Sequence, residues 1–231
     1  MQQLHPDLWI ADSPQRFLGL EIGARMTVVR LPDSQLLLHS PIAATAERVR
    51  EVKALGPVAY LVAPNRFHHL FISDWQQACP DARVYAAPGL ETKRADLAIS
   101  GILGDEPEPC WQGVLDQVLL AGFSFANEVV FFHRPSATLI ASDLAFNIGP
   151  SSRPLTRLAF RIGGAYGRLA PTLIERLLVN DRAAFRQALE RVLDWPFEHV
   201  VVAHGAVSAE GGREDLVRGY AWLLDPERTG R

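Results

Sequence analysis

VAYLVAPNRFHH, residues 58–69, joins an apolar run to a Pro-Asn turn and two adjacent histidines. The apolar run over residues 58–63 predicts a buried strand, and the apolar spacing over residues 68–78 predicts a helix directly after the turn. Strand, polar loop and helix form the unit from which layered α/β domains are built. We therefore expect His68 and His69 at the carboxyl end of a strand, where rigid scaffolds often hold functional side chains.

The rest of the chain extends this pattern in both directions. Before it, short β-rich runs and turn residues predict an antiparallel meander, over residues 8–11, 26–31 and 35–39, followed by a helix over 46–55. After it we expect a strand over 83–87, a short helix, and an acidic, turn-rich connection over 101–109. The second half predicts strands over 117–121, 128–133, 138–141 and 199–203, and helices over 171–179, 182–193 and 213–224. We expect one domain over residues 1–231, with two sheets and the helices outside them.

Composition excludes several classes of protein. The 231 residues are 48% hydrophobic and 21% charged, which is typical of a folded globular protein. The formal net charge of −3 provides no broad basic field, so nucleic acid is not expected as a partner. The chain has no apolar run of roughly 18 residues and only two cysteines, so we expect a cytoplasmic protein without a membrane partner.

Polar side chains recur at predicted strand ends. His68 and His69 follow one strand, Asp143 follows the strand over 138–141, and His204 follows the strand over 199–203. Imidazole and carboxylate are ligands that zinc and non-haem iron accept. The pattern predicts one site for a divalent metal ion, either zinc or iron.

These residues and their order resemble the metallo-β-lactamase superfamily, whose first motif is His-x-His-x-Asp-His on a loop between a strand and a helix. In that register Pro64 and Arg66 stand in place of the first two histidines, His68 replaces the aspartate, and His69 matches the last histidine. The resemblance implies a four-layer αββα sandwich.

Further positions carry the resemblance and limit it. Asp143 matches the family's bridging aspartate and His204 its final histidine, whereas Phe123 occupies the place of the middle histidine. The positions lost belong to the superfamily's first metal site, so the resemblance implies one metal ion. The chain is similar to divergent branches that carry an Asn-x-x-His-His motif.

The number of ligands decides what such a site does. If His68, His69, Asp143 and His204 all bind zinc, the tetrahedral shell is full and the site is structural, whereas catalysis needs an open position. Neighbouring helical residues point about 100 degrees apart, so the two adjacent histidines reach one ion only if the first helical turn is irregular. In a catalytic site, Asp143 or a non-ligating His68 would orient water or transfer a proton.

A basic stretch bears on the substrate. Residues 151–168 contain Arg153, Arg157 and two further arginines but no acid. Arginines spaced by four residues would share one helix face and could bind a carboxylate or phosphate, although a solvated basic face explains them as well. Asn65 and Arg66 beside the histidine pair complete the predicted substrate-binding residues.

The leading functional hypothesis is metal-dependent hydrolysis of a small, anionic molecule at a mononuclear site. The alternative is a non-catalytic binding protein on the same fold, with a degenerate or structural metal site. A mononuclear iron oxidoreductase is the third hypothesis, because two histidines and one carboxylate also suit non-haem iron.

Overall fold

A computed structural model describes residues 1–225. The strands are β1 (Gln2–His5), β2 (Leu8–Ser13), β3 (Arg16–Phe17), β4 (Leu20–Glu21), β5 (Ala24–Arg30), β6 (Leu36–His39), β7 (Val58–Ala63), β8 (Arg83–Ala86), β9 (Ile99–Ile102), β10 (Leu115–Leu119), β11 (Val129–His133), β12 (Thr138–Ile140) and β13 (His199–Val201). The helices are α1 (Ala46–Lys53), α2 (Ile72–Ala78), α3 (Leu90–Lys93), α4 (Pro154–Ile162), α5 (Leu173–Leu178), α6 (Arg182–Leu193), α7 (Gly212–Gly219) and α8 (Ala221–Leu224).

Two sheets dominate the architecture. The larger has the strand order β1-β2-β5-β6-β7-β8-β9, and the smaller has the order β10-β11-β12-β13. The meander predicted near the amino terminus is confirmed, because β5 pairs antiparallel with both β2 and β6. From β6 to β9 the neighbouring strands are parallel, as are β12 and β13. Parallel strands end at the same edge of a sheet, which brings the residues that follow them together.

Three apolar layers hold the sheets and helices together. One lies between the two sheets and includes Val62 and Phe131, both buried. The second covers the other face of the larger sheet and includes Trp75 of α2. The third covers the outer face of the smaller sheet and includes Phe185 of α6 and Leu216 of α7. The helices therefore flank the paired sheets, and the predicted αββα sandwich is confirmed.

The turn after β7 differs from the sequence prediction. Helix α2 begins at Ile72, not at residue 68. The Asn65 side-chain carbonyl accepts hydrogen bonds from the backbone N–H groups of Phe67 and His68, at 2.9 and 2.8 Å. This side chain replaces the first helical turn with a local turn, so His68 and His69 lie outside the helix.

Other boundaries also differ from expectation. Strand β9 occupies part of the predicted acidic connection, and α4 and the small β3–β4 hairpin lie where no element was firmly predicted. The helix predicted over residues 213–224 is divided at Tyr220, whose buried hydroxyl donates to the Leu144 carbonyl at 2.5 Å. In the described part of the chain, every helix is too short or too polar to cross a lipid bilayer.

Candidate metal centre

Three of the predicted ligands meet at one point. His68 Nε2 lies 3.4 Å from Asp143 Oδ2, and His204 Nε2 lies 3.3 Å from Asp143 Oδ1. One ligand atom from each residue falls within 4.8 Å of the other two. All three side chains are largely buried, with Asp143 the most exposed at 16%. Within residues 1–225 no fourth histidine, cysteine or acid joins this group.

The sheet register explains this convergence. Asp143 follows β12 and His204 follows β13, and these parallel neighbours pair Ile140 with Val201. The two side chains therefore emerge at the same end of the smaller sheet. His68 comes from the turn after β7 of the larger sheet, so the cluster lies where both sheets present the ends of their strands.

Each histidine ring is oriented by a partner on its other nitrogen. His204 Nδ1 lies 2.7 Å from the Gly23 carbonyl, which only accepts, so Nδ1 carries the proton and donates. In the neutral ring Nε2 then presents a lone pair towards Asp143. His68 Nδ1 lies 2.7 Å from the Ser40 hydroxyl, leaving its Nε2 towards the same carboxylate. The Phe146 ring stacks on His204, with 5.5 Å between centroids.

Sequence reasoning missed Glu128, which positions Asp143. This carboxylate is fully buried and accepts backbone N–H bonds from Ser142 at 2.6 Å and from Asp143 at 2.8 Å. The Asn65 amide donates to Asp143 Oδ2 at 2.8 Å and lies 3.4 Å from Glu128. The predicted substrate-binding residue Asn65 therefore lies fully buried in the framework behind the cluster. A lone acid at the start of an apolar strand was the only sequence signal for Glu128.

The cluster is electrostatically coupled. Burial opposes ionisation of Asp143, but the neighbouring His68 and His204 hold the pKa of its carboxyl well below the usual range. Burial would lower the pKa of His68, but the Asp143 carboxylate outweighs this effect and raises it. Burial and the nearby Asp143 raise the pKa of Glu128 to about 7, although the two backbone N–H groups stabilise its charge. The cluster therefore concentrates negative charge between imidazole nitrogens.

The spacing of these atoms suits a metal ion. Two ligands bound to one zinc at ~2.0–2.1 Å and at a tetrahedral angle lie ~3.3–3.4 Å apart. The observed nitrogen-to-oxygen separations, 3.4 Å to Asp143 Oδ2 and 3.3 Å to Asp143 Oδ1, are of that size, and one ligand atom from each residue lies within 4.8 Å of the other two. Three protein ligands leave a coordination position open, as catalytic zinc sites require, and two histidines with one carboxylate also suit non-haem iron. The residues therefore fit one divalent ion of either kind.

The structure does not bring His69 to this cluster. Arg94 Nη1 lies 2.9 Å from His69 Nδ1, and because a guanidinium only donates, Nδ1 accepts. The proton of the neutral ring then occupies Nε2, so neither nitrogen offers a free lone pair. Burial and the positive charges of Lys93 and Arg94 lower the pKa of His69 to about 4, which favours this neutral form. The ligand role predicted for His69 has no counterpart in the observed geometry.

The predicted anion-binding arginines meet other partners. Arg153 pairs with Glu21 at 2.9 Å, and Arg157 lies 3.4 Å from the Pro150 carbonyl. Arg66 lies 3.3 Å from the Ser124 carbonyl. These three arginines are absent from the wall of the pocket that contains the cluster. The structure thus does not bring them to the candidate metal centre.

That pocket is large and mostly apolar. It has a volume of about 390 Å³ and includes His68, Asp143 and His204 in its wall. Phe123, a position at which the resemblance led us to look for a histidine, is buried in the outer core and lines the same pocket. Pro64 accepts a backbone bond from Val129, so its position also serves the framework. Phe123 and Pro64 therefore contribute packing and backbone contacts in place of metal ligands.

Solved structures share this architecture at low sequence identity. A metallo-β-lactamase from Pontibacter korlensis is 16% identical, with a TM-score of 0.66 over 97% of this chain and 98% of that chain. A metallo-β-lactamase from Hirschia baltica is 12% identical, with a TM-score of 0.64 over 96% and 95% of the two chains. The Flv1 flavodiiron core from Synechocystis is 13% identical, with a TM-score of 0.62 over 94% of this chain and 58% of that chain. These likenesses show a metallo-β-lactamase fold.

Sequence comparison gives the family. No curated protein matches the chain. The family model described as a domain of unknown function, DUF4336, matches residues 6–162, which is more than half of the 231 residues. The chain belongs to the DUF4336 family, and it has the metallo-β-lactamase fold.

Proposed function

We propose that this protein is a metal-dependent hydrolase with a mononuclear site formed by His68, Asp143 and His204. The observation that carries the proposal is the convergence of their ligand atoms, all within 4.8 Å of one another, at the wall of an accessible pocket. A bound divalent ion would polarise a substrate carbonyl and lower the pKa of water from about 15.7 towards roughly 7. Zinc and iron both suit this ligand set.

The protein residues would position the reacting groups. Ser40 and the Gly23 carbonyl fix the two imidazole rings, while Asn65 and Glu128 fix Asp143. Such supporting partners hold ligand atoms in place before substrate arrives. Asp143, whose two carboxylate oxygens face the two histidines, would be the anionic ligand of the ion. The apolar pocket would exclude bulk water and strengthen these electrostatic interactions.

The main alternative is a binding protein that has lost catalysis. It is favoured by Pro64, Arg66 and Phe123, which replace the histidines of the superfamily's first metal site. An iron oxidoreductase is the third candidate, supported by the two-histidine, one-carboxylate set. The three candidates differ in what the metal-loaded protein does to a hydrolysable substrate.

Hydrolysis by matched variants tests the proposal. Protein loaded with zinc or iron would be assayed on panels of neutral esters, lactones, amides and phosphoesters, beside Asp143→Asn and the control His199→Ala. We expect metal-dependent turnover that is lost in Asp143→Asn and kept in His199→Ala, because only Asp143 belongs to the cluster. Stoichiometric metal without turnover on any panel would contradict hydrolysis and favour a binding protein. Turnover that persists in Asp143→Asn would contradict the assigned site.

A further inference from the structure

The pocket above the candidate metal centre has the size of a small-molecule site. Its volume of about 390 Å³ lies within the roughly 300–1,000 Å³ typical of ligand pockets. His68, Asp143 and His204 form one part of its wall, and the remaining wall comes from separate parts of the chain. A ligand that contacts the cluster therefore also contacts this wall.

Aromatic and aliphatic side chains form most of the wall. Seven of the chain's eleven phenylalanines line the pocket, among them Phe67, Phe146 and Phe160. Buried Phe146 and Phe160 pack against one another with 5.2 Å between ring centroids, which makes that side of the wall rigid. Burying apolar surface of a ligand here would be favourable, because that surface is removed from water. The wall thus favours an apolar ligand.

The rim of the pocket is apolar and exposed. Leu18 in the turn of the β3–β4 hairpin is 85% exposed, Ile174 of α5 is 62% exposed, and Leu70 and Phe125 are 56% and 50% exposed. Single exposed apolar residues are common, but these four line one pocket from separate segments. Exposed apolar residues that converge on one opening are typical of a binding groove.

The charged groups of the wall already have partners within the protein. Lys93 Nζ donates to the Arg66 carbonyl at 2.6 Å and lies 5.3 Å from the centre of the Phe67 ring. Glu175 accepts the backbone N–H of Thr172 at 2.9 Å in the capping box of α5. Among the wall residues in the described part of the chain, His68, Asp143 and His204 are the group whose ligand atoms lie within 4.8 Å of one another.

We propose that the substrate is a neutral carboxylic ester or lactone with a long aliphatic or aromatic body. This proposal rests on the proposed hydrolase function and names its substrate class. The apolar body would occupy the phenylalanine-lined wall, and the single scissile carbonyl would face His68, Asp143 and His204. A phosphoester fits less well, because its charge would lie beside the Asp143 carboxylate without an unpaired arginine in the wall. Hydrolysis forms one carbon–oxygen bond from water and breaks the acyl carbon–oxygen bond. An ester gives a carboxylate, an alcohol and a proton, and a lactone gives one hydroxycarboxylate and a proton.

Binding of a neutral probe tests the substrate class without measuring activity. The fluorescent amine N-phenylnaphthylamine would be titrated into the purified protein, with and without added zinc. Ala159 lines the pocket on α4 and is partly exposed, so we expect the larger side chain of Ala159→Trp to occupy part of the pocket. The matched control is Leu158→Trp, because Leu158 is 53% exposed on the same helix and is not part of the wall. Thermal unfolding would verify that both variants fold.

The expected pattern is specific to the pocket. We expect the wild type to bind the probe, Ala159→Trp to weaken binding at least about tenfold, and Leu158→Trp to bind within about twofold of the wild type. Methyl decanoate should displace the probe, whereas methyl acetate at the same concentration should not. Equal probe affinity in both tryptophan variants, or absence of probe binding in the wild type, would overturn the proposal.

Two further outcomes separate this proposal from the hydrolase function. Metal-dependent hydrolysis of methyl acetate without probe binding would overturn the apolar substrate and leave the hydrolase in place. Probe binding that Ala159→Trp abolishes, in a protein that takes up no metal, would support the apolar pocket and contradict the hydrolase. Tighter binding of an anionic naphthalene sulfonate than of the neutral amine, lost in Arg153→Ala, would overturn the proposal in favour of an anionic ligand.

Discussion

The cluster of His68, Asp143 and His204 and the arginine-rich segment over residues 151–168 were both predicted to contribute to one site, but the structure brings only the residues of the cluster together. His68, Asp143 and His204 converge within 4.8 Å, and each meets a hydrogen-bond partner within the fold. Arg153 instead pairs with Glu21 near the surface, and its side chain is 68% exposed. A position at a strand end therefore predicts a site residue better than a pattern of charges does. Sheet register fixes where a strand ends, whereas a long charged side chain can pair with a nearby group at the surface.

The largest expected effect is the loss of metal when a cluster histidine is removed. His204→Ala should abolish stoichiometric binding of zinc or iron, because two remaining ligands hold a divalent ion poorly. His199→Ala, five residues away and outside the cluster, should leave binding unchanged. Metal content per chain after dialysis, measured by mass spectrometry, checks this difference. Equal metal content per chain in the two variants would contradict the assignment of His204 as a ligand.

A smaller effect is expected from the buried framework. Glu128→Gln should weaken metal affinity about 10–100-fold, as loss of a supporting partner typically does. The carboxylate accepts two backbone N–H bonds, and the amide group of glutamine would place a donor against one of them. Titration against a competing chelator measures the change, with Glu106→Gln on the exposed surface as the matched control. Unchanged affinity would show that Asp143 does not depend on Glu128.

Replacement of His69 should affect stability and spare the metal. His69→Ala removes the acceptor that Arg94 contacts at 2.9 Å, so the free energy of unfolding should fall by about 1 kcal/mol. Metal content should equal that of the wild type, because His69 Nδ1 already accepts a hydrogen bond. Urea unfolding and metal analysis on the same sample measure both quantities. If His69→Ala lost metal as completely as His204→Ala, His69 would be shown to be a ligand.

The smallest effect is expected from the arginines. Arg153→Ala combined with Arg157→Ala should change the free energy of unfolding by less than about 1 kcal/mol, because exposed ion pairs contribute little. Metal content and binding of N-phenylnaphthylamine should stay as in the wild type, since neither residue lines the pocket. Calorimetric titration with small carboxylates and phosphates, beside the same metal assay, tests this. Weaker anion binding in the double variant would show that the arginine-rich segment contributes to ligand binding.

The fold was largely predictable because its signals are local. Apolar runs and turn residues located most strands of both sheets, and Asp143 and His204 followed from strand ends. The small β3–β4 hairpin was not predictable, since its strands have only two residues each. Its exposed Phe17 and Leu18 line the pocket, so the apolar substrate class also depended on the structure.

The site was less predictable because its details depend on side-chain contacts. Two contacts explain why His68 joins the cluster and His69 does not. The Asn65 side chain accepts from the backbone N–H of His68, so α2 begins later, and Arg94 donates to His69 Nδ1. Arg94 is 25 residues from His69 along the chain, so no local pattern links them. Ser40, directly after β6, and Glu128, directly before β11, are likewise distant along the chain from the residues that they contact. Sequence periodicity describes elements, but it does not describe which atoms meet between them.

A crystal structure of the protein soaked with zinc, with anomalous scattering measured at the zinc edge, tests the central claim most directly. We expect one ion in contact with His68 Nε2, the Asp143 carboxylate and His204 Nε2, with an open position towards the phenylalanine-lined pocket. An ion bound through His69, or no ion at this cluster at saturating zinc and at saturating iron, would contradict it.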